Sequence, residues 1–96
     1  MAFLISESIR AKLLAKHDVT EKEVMECFAN REGDIFRDTR ERHLTDPPTL
    51  WFVAETNRGR KLKVCYVQKG KRVHLKTAFA ANPAEISLYE RLNAWR

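Results

Sequence analysis

Cysteine is scarce in this 96-residue chain: Cys27 and Cys65 are the only two, and 38 positions separate them. Neither belongs to a CxxC pair or a His/Cys ligand cluster, which argues against a zinc site. Two thiols in a chain of this size fit a reducing, cytoplasmic compartment. Long apolar runs are also missing, and nothing approaches the ~20 residues that span a bilayer. The opening "MAFLISESIRAKLL" has no basic segment before its short apolar start, so it does not read as a secretory leader. Repeats, low-complexity tracts and linkers are absent too. These absences point to one soluble, cytoplasmic domain over residues 1–96, with no membrane contact and no expected metal or cofactor.

What is present is ordinary globular composition with a basic bias. Hydrophobic residues make up 44% and charged residues 32%, which excludes a disordered chain. Eighteen Lys and Arg stand against thirteen Asp and Glu, a net charge of +5. A small basic domain favours acidic partners such as nucleic acid. The same balance also serves solubility alone.

Helix signals dominate the first third. Ser6 or Ser8 can cap a helix through "ESIRAKLLAKH", with Ile9, Leu13 and Leu14 on one side. Thr20 and Glu23 form a T-x-x-E capping box, and Val19 with Val24 make a hydrophobic staple. Val24, Met25 and Phe28 supply that helix's apolar face, and Gly33 is the expected stop. From Asp34 onward the pattern turns to strands. "DIFRDTRERHL" holds a first strand and a charged loop, and "DPP" is a break. "TLWFVAET", "KLKVCYV" and "KRVHLKTAF" read as three more strands, with turns at "NRG" and "KG". Asn82, Pro83 and Glu85 start a last helix, whose stripe is Ile86, Tyr89, Leu92 and Trp95. The order α-α-β-β-β-β-α predicts an α+β domain: a four-stranded antiparallel sheet with helices on one face and the other open to solvent.

Positive charge concentrates in "RKLKVCYVQKGKRVHLKT", residues 60–77. With Lys69-Gly70 as a two-residue turn, counting outward pairs Tyr66 with Val73 and Val64 with Leu75. The other face then pairs Cys65 with His74 and Lys63 with Lys76, and adds Arg72 and Lys61. Like charges opposite each other on a sheet are unfavourable, and a polyanion would relieve that cost. Lysines on exposed strands also guard edges against aggregation. The mixture is a kit for gripping or cleaving RNA. Lys63, Arg72 and Lys76 would hold phosphate and stabilise developing charge, and His74 would move a proton near neutral pH. RNA itself supplies a nucleophile, its 2′-hydroxyl.

Other candidates are weaker. His17 follows the first helix, where a macrodipole favours a cation. Arg42 and His43 lie in the charged loop, Arg58 and Arg60 flank the turn at Gly59, and each has a plain surface reading. Trp51 or Phe52 could stack on a base if exposed, but core packing suits both, and Tyr89 likewise. Cys65 opposite His74 would make a thiol–imidazole pair, yet no orienting third group is visible.

The sequence also resembles a family. Lys16, His17, Val19, Glu23 and Phe28 resemble an element near the start of BrnT-type toxins, within the wider RelE-like toxin group. Residues 59–90 resemble it without a gap: Gly59-Arg60, Tyr66, Gly70, Arg72, Thr77-Ala78, Glu85, Tyr89 and Glu90. The chain departs at Phe79, at Thr49-Leu50 and at His74, where the family carries Arg, Glu-Arg and Arg. The resemblance implies this helices-then-sheet fold and a toxin of a toxin–antitoxin system that cleaves mRNA. It also implies inhibition by a cognate antitoxin, as a homodimer or a hetero-tetramer with it. It adds Lys16 and His17 to the RNA-binding candidates Arg42, His43, Arg58, Arg60 and Lys61. A protein of the same fold that binds nucleic acid or an acidic partner without cutting is the alternative.

Overall fold

Side-chain caps fix where the helices begin in the computed structural model, which describes residues 2–40 and 46–94. The Ser6 hydroxyl accepts from the Ile9 amide at 3.2 Å to start α1 (Glu7–His17). Asp18 closes that helix in the left-handed conformation, φ 51, which a short polar side chain tolerates. The Thr20–Glu23 box is formed in both directions, each bond 3.1 Å, at the head of α2 (Glu21–Asn30). Val19 and Val24 beside it are 1% exposed, so the staple is part of the core. At α3 (Pro83–Ala94) the Asn82 side chain accepts from the Glu85 amide at 2.8 Å, and the Glu85 carboxylate accepts from the Asn82 amide at 3.0 Å.

The strands are β1 (Ala2–Leu4), β2 (Phe36–Arg37), β3 (Thr49–Glu55), β4 (Lys61–Lys69) and β5 (Arg72–Ala80). They form one sheet in the order β1-β5-β4-β3-β2. The α+β architecture is the expected one, with one strand more: β1 adds to the edge of β5 in parallel, Phe3 beside Val73. Arg42, His43 and Trp95 lie outside the described residues.

Successive strand residues face opposite sides. Phe52, Val64, Tyr66 and Leu75 point toward α1 and α2, where the Phe28 ring packs edge-on to Phe52 and Tyr66 at 5.0 and 5.2 Å. The sequence leaves the opposite face open. Instead α3 lies over part of it: the Tyr89 ring sits 5.7 Å from both Trp51 and Phe36. Trp51 and Phe52 are therefore both core residues, on opposite faces.

The hairpin register also differs from the counted one. Its two-residue loop is Gly70-Lys71, closed by Lys69 opposite Arg72. Gly70 takes φ 60 at the first loop position, where a type II′ turn demands glycine. A bulge follows: Tyr66 pairs with Leu75 but Cys65 with Thr77, leaving Lys76 as the extra residue. The bulge lets Leu75 and Ala78, three positions apart, both point into the core. Lys63 consequently pairs with Phe79 rather than Lys76, and His74 pairs with Val67 rather than Cys65.

Gly33 does not stop α2, which ends at Asn30 with Arg31 at φ −59. Its function is close approach. A Cβ there would lie 2.6 Å from the Tyr89 hydroxyl and 2.8 Å from the Asn93 carboxamide oxygen. Neither can yield cheaply, because the hydroxyl donates to the Asp34 carbonyl at 2.6 Å and the carboxamide oxygen accepts from the Asp34 amide at 2.7 Å. Gly33→Ala should therefore cost about 1–3 kcal/mol in urea denaturation, the usual range for overpacking. A neutral result would mean that α3 is not docked here. Among the described residues no helix is long and apolar enough to cross a membrane.

Candidate nucleic-acid interface

The hairpin end gathers the positive charge. Lys69 and Arg72 close the turn directly opposite each other, so the like-charge cost falls on this pair. His74 lies on the same face two residues beyond Arg72, beside Leu4 of the edge strand. Lys76, pushed out by the bulge, is exposed, and His74 is half-buried. Lys69, His74 and Lys76 line a shallow hollow of about 350 Å³, with Val67 and Pro47 in its wall and Asp46 at its rim. Such a hollow offers three cationic or ionisable donors and one carboxylate to a single phosphate-bearing group. Neither Lys69 nor Asp46 was singled out by the sequence. Placing glycine first in the turn would have found Lys69, whereas "DPP" carries no sign of where Asp46 lands.

Lys63 is not part of this group. Its ammonium sits under α3, 3.5 Å from the Glu85 carboxylate and 4.7 Å above the centre of the Trp51 ring, with the side chain 14% exposed. The expected quartet of Lys63, Arg72, His74 and Lys76 is thus a trio at the hairpin end and one paired cation beneath a helix.

Cys65 is no nucleophile. It is buried opposite Thr77, and burial pushes its thiol up to about 11 against the opposing pull of Lys63. Cys27 is raised further, to about 12, by burial and then by Glu23 and Glu26. Both thiols stay protonated and unreactive near neutral pH. Among the described residues no three His, Cys, Asp or Glu side chains converge as metal ligands would.

The remaining candidates lie at the other end of the sheet. β4 runs from Lys61 to Lys69, about 27 Å at ~3.3 Å per residue. Arg60, just before it, is occupied with the fold. Its guanidinium donates to the His17 carbonyl at 3.0 Å, to the Asp18 carbonyl at 2.6 Å and to Glu23 at 3.3 Å. Lys61 is exposed opposite Glu55 and faces a separate cleft of about 1110 Å³, between α3 and the end of α2, whose rim mixes Glu55 and Glu90 with Arg31. The His17 ring lies 5.7 Å from Phe79, while Lys16 and Arg58 are exposed away from the hairpin. The chain matches no protein-family model and no curated relative, so the hairpin end rests on its own geometry.

Proposed function

We propose that the chain binds single-stranded RNA at the β4–β5 hairpin end and cleaves it there, as a cytoplasmic endoribonuclease of the BrnT-like toxin kind. The observation that carries this reading is the convergence of Lys69, His74 and Lys76 around one hollow, with Arg72 directly across the strand pair from Lys69. The lysines and Arg72 hold the phosphodiester and offset the charge that builds on its oxygens. His74 takes the proton from the 2′-hydroxyl. The 2′-oxygen then bonds to phosphorus, the bond from phosphorus to the 5′-oxygen breaks, that oxygen leaves with a proton taken from water, and the protonated His74 returns its own proton to solvent. The products are a 2′,3′-cyclic phosphate and a 5′-hydroxyl. A cognate antitoxin would silence the protein by covering the hairpin end with acidic side chains.

One observation favours binding without cutting: Lys63, one of the three expected phosphate ligands, is already paired. Labelled single-stranded RNA separates the two readings. Wild-type protein should retain it at low salt and cleave it, and a 2′-deoxy strand should be retained intact. His74→Ala should keep binding within about twofold and lose cleavage by ~100-fold or more. Arg72→Ala should weaken binding and flatten the salt dependence by about 0.7 in slope, one phosphate contact. Retained RNA that is never cut would establish the binding-only alternative. No retention at any salt would overturn both.

A further inference from the structure

We propose that Lys63 is a second phosphate seat on the same sheet face as His74, closed in the free protein by the Glu85 carboxylate. This rests on the RNA reading above and extends it along β4. Lys63, Val67 and Lys69 point to one side of the strand, and Val67 is paired with His74. Lys63 lies about 13 Å beyond Val67 at ~3.3 Å per residue, so RNA seated in the hairpin hollow reaches it by passing above the buried Cys65 to the edge of α3.

The seat is already shaped for an anion. The Trp51 ring beneath the ammonium holds it in place, and a lysine ammonium is a point charge that donates to a carboxylate or a phosphate oxygen alike. The pair is sheltered, 14% and 22% exposed, and charges so sheltered are often replaceable by apolar side chains without loss of stability. Folding alone therefore does not call for charge at this point.

Glu85 can let go of Lys63 without undoing α3. Its two oxygens have separate partners: Oε1 accepts from the Asn82 amide that opens the helix, and Oε2 faces Lys63. An incoming phosphate competes only for the second. Glu85 is thus an internal stand-in for the ligand, and the Lys63 position adds affinity only when RNA displaces it.

A double-mutant cycle tests this with a single-stranded oligoribonucleotide carrying 2′-deoxy sugars, so that cutting does not interfere. Glu85→Gln keeps the capping box, since Gln serves there as well as Glu. Lys63→Met keeps an apolar stem over Trp51. Glu85→Gln should tighten binding severalfold and steepen the salt dependence by about 0.7 in slope, one added phosphate contact. In the Lys63→Met background the same change should do nothing. If Glu85→Gln tightens binding equally without Lys63, Glu85 only repels RNA and the seat does not exist. If wild-type protein binds and Glu85→Gln changes nothing, the pair is structural and the inference fails while the RNA reading stands. If no variant binds, the RNA reading itself falls, and this inference with it.

Discussion

Phe52→Ala should lower the unfolding free energy by about 3–5 kcal/mol, the usual cost of deleting a buried ring. Phe52 has no exposed surface and is the largest fully buried side chain among the described residues. It sits in a chain of rings: Phe3 meets Phe28 at 4.9 Å, Phe28 meets Phe52 and Tyr66 at 5.0 and 5.2 Å, and Phe52 faces Tyr66 at 6.2 Å. Truncation would leave a void bounded by one sheet face and α2, two elements that cannot close it without losing register. Domains of this size have about 5–15 kcal/mol to lose, so the melting temperature should fall on the order of 12 °C or more. Phe52→Leu fills most of the volume and should cost less than half as much. Urea and thermal denaturation measure both. A loss under about 1.5 kcal/mol would mean that α2 does not pack on this face. The effect bears on function because this cluster decides which side of the sheet the first two helices cover. The side that carries His74 and Arg72 is the one they leave.

The helix starts and the three long strands were legible because their causes are local. Thr20 with Glu23 and Asn82 with Glu85 are three residues apart, and the caps they form need nothing else. β1 was not legible. Three residues carry little pattern, and their pairing partner lies about seventy positions later, at Arg72 to His74. The hairpin failed for a subtler reason. "KG" and "GK" are both two-residue turns, and only the sign of φ required at the first loop position separates them. A one-residue change there moved every cross-strand partner, and the bulge at Lys76 moved the far half again. Arg72 and His74 survived both shifts because residues two apart on a strand stay on one face whatever the register. Lys63 did not, since its fate was set by Glu85 on a helix whose apolar stripe reads the same over either face of the sheet.

Arg60 and Arg72 look alike in sequence and should behave oppositely under the same substitution. Arg72→Ala removes an exposed side chain whose cross-strand neighbour is Lys69, so stability should stay within about 0.5 kcal/mol of wild type while RNA affinity falls. Arg60→Ala should cost about 1.5–3 kcal/mol and leave RNA affinity unchanged. The guanidinium satisfies two carbonyls at the end of α1, those of His17 and Asp18, and reaches Glu23 in the box that opens α2. Carbonyls at a helix end have no partner within the helix, and hydrogen bonds from a charged donor are the stronger kind. One side chain thus ties the turn before β4 to the joint between two helices. Arg60→Lys should recover only part of the loss, because an ammonium cannot reproduce the fork that spans both carbonyls. Acidity gives a second handle. Burial would raise the Glu23 carboxyl above its ordinary 4.5, but hydrogen bonds from Thr20 and the Arg60 guanidinium outweigh it and hold the group lower. A carboxyl held low in the folded state stabilises above its unfolded value, and that contribution fades as pH falls through the folded one. The stability gap between wild type and Arg60→Ala should therefore be full near neutral pH and narrow below about pH 4. Equal loss of RNA affinity in Arg60→Ala and Arg72→Ala, with no loss of stability in either, would return Arg60 to the RNA-binding surface and remove the structural role assigned to it.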